Sequence, residues 1–85
     1  MIYAVIIKRS AQKQIERLPA THIKKIRIEI LKLADDPRPY GCTKLTGSKN
    51  ISRVREGVYR IVYEITDNVL TVYVFDVDHR KQVYR

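Results

Sequence analysis

The closing stretch of the chain, DVDHRKQVYR (76–85), brings together His79, Arg80, Lys81, Tyr84 and Arg85. An imidazole titrates near neutrality, a guanidinium can grip a phosphate with two parallel N–H donors, and a phenol can give or take a proton. Together they suit work on a phosphate ester. Chain ends usually fray, so such a group is either a solvated basic tail or the completion of a site built elsewhere. A second group sits in SRVREGVYR (52–60), where Arg53 and Arg55 alternate with apolar residues and Arg60 follows a Glu-Gly turn. In an extended strand Arg53 and Arg55 share a face, and across a tight hairpin Arg60 can join them. Like charges brought that close repel, which points to an anion as their partner; the plainer alternative is the polar face of a half-exposed sheet.

These side chains need elements to hold them. IYAVIIK (2–8) is β-branched and apolar on both faces, as in a covered strand. Ser10 is the expected cap of a short helix whose stripe is Ala11, Ile15 and Leu18, stopped by Pro19. Thr21 is the expected cap of a longer helix, with Ile23, Ile26, Ile30 and Leu33 inward and Lys24, Lys25, Arg27 and Lys32 outward. DDPRPYG (35–41) ends it, and 42–50 reads as a loop. From there the period becomes two. ISRVR (51–55), VYRIVYEI (58–65) and VLTVYVFDV (69–77) read as three strands joined by hairpins at EG (56–57) and TDN (66–68). The expected fold class is α+β: a small antiparallel sheet with two N-terminal helices packed on one face, in the order β-α-α-β-β-β.

Composition narrows the function. Eighty-five residues make one domain, 1–85, with a single modest core. The apolar run MIYAVII falls well short of the about 18 residues a membrane span needs and lacks the flanks of a secretory signal, so a cytoplasmic location is the expectation. One cysteine, Cys42, and two histidines, His22 and His79, provide no zinc-ligand spacing, and no metal or cofactor is expected. Seventeen Lys and Arg against nine Asp and Glu give a net charge of +8, which suits a polyanionic partner. No segment combines a basic face with exposed Trp, Phe and Leu, so a membrane surface is a poorer fit.

The stretches KLTGS, SRVREGVYRIVYEI and VFDVDHRKQVYR resemble the bacterial toxins of the RelE/ParE superfamily, and more closely its RelE branch, over essentially the whole chain. The resemblance implies a ribosome-dependent endoribonuclease that cuts messenger RNA in the ribosomal 30S A site. It places catalytic side chains at Arg53, Arg55, Arg60, Arg80 and Tyr84, with His79 as a further candidate for proton transfer. Lys44, Lys49, Lys81 and Arg85 are the expected RNA- and phosphate-binding cations beside them. The implied partner is a RelB-like antitoxin held in a hetero-oligomer. The best-studied members have lysines where Arg53 and Arg55 stand here; arginine, with a pKa of about 12.5 or more, cannot serve as an ordinary general base. Two other readings stand beside this one: a ParE-like toxin acting on DNA gyrase, and a non-catalytic nucleic-acid-binding module.

Overall fold

Strand, helix, helix and a terminal sheet follow one another along the chain, as the change of period requires. The computed structural model describes residues 2–45, 47 and 50–79. The elements are β1 (Ala4–Ile7), α1 (Arg9–Glu16), α2 (Ala20–Lys32), β2 (Thr43–Lys44), β3 (Ile51–Glu56), β4 (Tyr59–Thr66) and β5 (Thr71–His79). A single 3₁₀ turn, Asp67–Val69, joins the last two strands. The class is α+β, as the sequence indicates. The sheet has order β1-β5-β4-β3-β2 and is mixed, because β1 lies parallel to β5 while the other pairs are antiparallel.

The helices start slightly earlier than their expected caps. α1 begins at Arg9 after Lys8 and α2 at Ala20 after Pro19, with no side-chain cap bond in either. Pro19 suits a helix start: it has no N–H to satisfy, and its carbonyl accepts the first turn's N–H groups from His22 and Ile23. The stripes fall where helical spacing puts them. Ala11 and Ile15 of α1 and Ile26 and Ile30 of α2, with Leu33, meet Ile61, Tyr63, Ile65, Val72, Val74 and Val77 of the sheet in one buried cluster. Both helices therefore cover one face of the sheet, the face of Ile61, Tyr63 and Ile65.

Tyr63 is fully buried there, and its hydroxyl donates to the Pro37 carbonyl at 2.8 Å, so no polar atom is stranded. Burial pushes its phenol well above the ordinary tyrosine range, which keeps it neutral. At the β3–β4 turn Gly57 takes φ +62, and Glu56 and Tyr59 close the ladder around it. A positive φ at the first of two loop residues is the II′ geometry that matches strand twist, which explains the glycine.

Candidate phosphate-binding site

The β3–β4 register places the three arginines relative to one another. Arg55 lies directly across from Arg60, and Arg53 directly across from Val62. Opposed residues in an antiparallel ladder share a face, so all three arginines stand on the side of the sheet away from the helices. Their environments differ. Arg60 is 1% exposed, Arg53 is half-buried and Arg55 is exposed. A buried guanidinium between neighbouring strands is held to one geometry, while the exposed one can adapt to what binds.

β5 adds a carboxylate. Asp78 lies across the ladder from Arg60 on its other side, so Arg60 is flanked by Arg55 and Asp78. A β-bulge produces this arrangement. The β4–β5 pairing runs Thr66↔Thr71 to Tyr63↔Val74, then slips by one residue to Val62↔Asp76. Phe75 is the extra residue. Without the slip Asp76 would face the helices and Val77 would stand opposite Arg60. With it Val77 enters the core, 2% exposed, and an acid stands beside the arginine.

The same slip decides the place of His79. It pairs with Tyr59, on the helix-covered side, and the two rings meet edge to face at 5.7 Å. His22 of α2 meets Tyr59 in the same manner at 4.9 Å. The structure thus does not bring His79 together with Arg53, Arg55 and Arg60. Lys44 is also elsewhere: it pairs with Ser52, which lies opposite Tyr63 on the helix side. Lys49, Arg80, Lys81, Tyr84 and Arg85 lie outside the described residues.

Sequence reasoning left Asp78 out of the site and gave β2 to a loop. Two residues, Thr43 and Lys44, are too short a run to show alternation, and only pairing with Arg53 and Ser52 makes them a strand. Among the described residues no cluster of His, Cys, Asp and Glu could hold a metal ion, and no helix is long and apolar enough to cross a membrane.

A two-helix layer covers one face of a mixed sheet, and Arg53, Arg55 and Arg60 stand together on the other. Comparison with known proteins gives the family of the chain. Residues 5–84 match the family described as ParE toxin of type II toxin–antitoxin systems, and the chain belongs to this RelE/ParE superfamily of toxins. Among solved structures, RelE in the archaeal RelE–RelB complex from Pyrococcus horikoshii superposes with a TM-score of 0.84 at 25% identity, covering 94% of this chain and 97% of that one. The RelBE2 toxin–antitoxin complex of Mycobacterium tuberculosis gives 0.83 at 26%, covering 94% and 93%. The isolated Escherichia coli RelE toxin gives 0.80 at 24%, covering 96% and 90%, a likeness of fold. A search of curated sequences returns no match.

Proposed function

We propose that this toxin is a ribosome-dependent endoribonuclease that cuts messenger RNA in the A site and is held inactive by a RelB-like antitoxin. The observation that carries the reading is Arg55 directly opposite Arg60, with Arg53 on the same face. An antiparallel sheet gains nothing from like charges directly across the ladder. Asp78 stands beside Arg60 alone, so a phosphodiester adds a negative partner shared by all three, and the planar fork of arginine suits its oxygens. The net charge of +8 and the RelE–RelB complexes among the structural relatives support the polyanionic substrate and the protein partner.

RNA cleaves when a 2′-oxygen loses its proton, attacks the adjacent phosphorus and expels the 5′-oxygen, which takes up a proton. Charge accumulates on the non-bridging oxygens at the transition state. Arg53 and Arg60, joined by Arg80, are assigned to those oxygens. Arg55 is assigned to orienting the 2′-hydroxyl, because a guanidinium does not give up its proton. Tyr84 is assigned proton transfer. We assign no step to His79, which pairs with Tyr59 on the other side of the sheet. A site short of acid–base groups needs its substrate aligned for in-line attack, which a ribosome can supply.

The family description that matches the chain names ParE, which favours a second reading, action on DNA gyrase. One experiment separates them. The toxin, its Arg60→Lys variant and its Tyr84→Phe variant are expressed without antitoxin, and messenger RNA ends are mapped on translating ribosomes. The ribonuclease reading expects in-frame cuts in the A site, reduced about 100-fold by Arg60→Lys, the scale of losing one preorganised donor, and strongly reduced by Tyr84→Phe. Intact messages together with gyrase-linked DNA breaks would overturn it in favour of the second.

A further inference from the structure

A concavity opens on the helix-covered face at the end of the sheet where Arg55 and Arg60 stand on the other side. Here α1 ends, and its last residues with the facing ends of β4 and β5 enclose a cleft of about 440 Å³. Leu18 and Val77 supply an apolar floor, Tyr59 a half-buried aromatic wall, and Arg17 an exposed guanidinium at the rim. His22 and His79 flank Tyr59 edge to face at 4.9 and 5.7 Å, an arrangement that holds its ring in place. Asp78 belongs to both places: it lines this cleft, and it stands across the ladder from Arg60.

The lining sorts the possible occupants. A simple anion would gain from Arg17 but would leave Tyr59, Leu18 and Val77 without apolar contact. A purely apolar group would leave the Arg17 guanidinium and the His79 imidazole unmatched. A flat heterocycle with both donors and acceptors on its edge matches all of them, and bases in single strands are bound in this way, stacked on aromatic or guanidinium planes. Position adds the link to RNA. Tyr59 and Arg60 are consecutive on β4 and point to opposite faces, so the cleft and the arginine face lie back to back at the same end of the sheet. The cleft lies where β4 begins and β5 runs to His79, the same end of the sheet as Arg55 and Arg60 on the other face.

We propose that the cleft is a nucleobase subsite, which stacks on Tyr59 the base of a nucleotide adjoining the phosphodiester held by Arg53, Arg55 and Arg60. The inference rests on the ribonuclease reading. It gives the toxin a means of sensing sequence beside the cut, a role the arginines cannot perform because phosphates are alike in every nucleotide.

The test maps cuts genome-wide on translating ribosomes for wild type, Tyr59→Leu, Tyr59→Phe and Arg17→Ala, with melting temperature and antitoxin binding measured alongside. Tyr59→Leu is expected to lower cutting about tenfold and to narrow the spread of rates among the bases flanking the cut. Tyr59→Phe is expected to stay within about twofold of wild type, and Arg17→Ala to lose about threefold with the same narrowing. Should Tyr59→Leu fail to fold, the exposed Arg17 still decides the matter. Unchanged rates and base spread in Tyr59→Leu, or in Arg17→Ala if that alone folds, would overturn the subsite and leave the ribonuclease standing. So would loss of antitoxin binding with cutting unchanged, which would make the cleft a protein interface. No cutting by wild type would remove the ribonuclease reading and the subsite with it.

Discussion

At the scale of residues, Arg55 and Arg60 set activity against stability. Facing like charges in a ladder cost a few tenths of a kcal/mol to about 1 kcal/mol. Arg60 is buried and surrounded, so removing it damages packing; Arg55 is exposed and removable. Arg55→Thr keeps a strand-forming residue and deletes one of the opposed charges. Its melting temperature is expected to rise by about 2–4 °C, the size of a gain near 0.5 kcal/mol in a domain of this length. Its cutting of messenger RNA is expected to fall about 100-fold. Inorganic phosphate should raise the melting temperature of wild type more than that of the variant. Thermal melts with and without phosphate, beside end mapping, check all three, and a variant that melts lower would make Arg55 a structural residue instead.

At the scale of elements, the decisive device is the end of β5, where the sheet loses one neighbour and gains a slip in its ladder with the other. β1 gives its last rung when the Lys8 N–H donates to the Val74 carbonyl at 2.8 Å, and the chain then turns into α1. Gln14 of that helix continues the edge. Its Oε1 accepts from the Val77 N–H at 2.8 Å, and its Nε2 donates to Asp76 Oδ1 at 2.9 Å. Gln14→Leu strands the N–H of a buried residue and is expected to cost about 1–3 kcal/mol in urea unfolding, nearly independent of pH. Gln14→Glu keeps an acceptor for the Val77 N–H but loses the donor to Asp76 and sets a like charge beside it, so at pH 7 it is expected to be less stable than wild type in the same urea measurement. None of this was legible in the sequence. Alternation and helical spacing do give the two helices, the three long strands and the common face of Arg53, Arg55 and Arg60, because each rests on periodicity within one hairpin or one helix. A bulge leaves no periodic mark, and the plain continuation of the hairpin would have set His79 on the arginine face. The parallel docking of β1 on β5 is likewise a contact between distant segments, decided by packing rather than by local pattern.

At the scale of the whole molecule, the two ends of the β4–β5 hairpin have separate duties. The arginines, Asp78 and the Tyr59 cleft gather where β4 begins, while Asp67 gathers its partners where β4 has ended. Arg38, from the connection after α2, grips Asp67 with two bonds of 3.2 and 2.9 Å, and Tyr3, just before β1, donates its hydroxyl to the same carboxylate at 2.7 Å. Three distant segments are thereby tied at one half-exposed carboxylate. The Arg38 bond, followed by that from Tyr3, holds the Asp67 carboxyl below its ordinary range; the Asp67 bond holds the Tyr3 phenol above its own. A depressed acid contributes stability above its unfolded pKa, near 3.9, and loses it as pH falls through the folded value. A raised phenol contributes stability below its unfolded pKa, near 10, and loses it as pH rises through the folded value. Asp67→Asn is therefore expected to melt below wild type by an amount that is greatest between about pH 5 and pH 9 and declines toward both extremes. Because several rungs of about 3.3 Å separate Asp67 from Arg60, its messenger RNA cutting is expected to equal that of wild type at a temperature where both are folded. Melting curves from pH 3 to pH 11, with cutting assayed well below the transition, check both halves. A difference that stays flat across that range would mean that Asp67 acts through packing alone, and a loss of cutting in the folded variant would join the two ends of the hairpin into one functional unit.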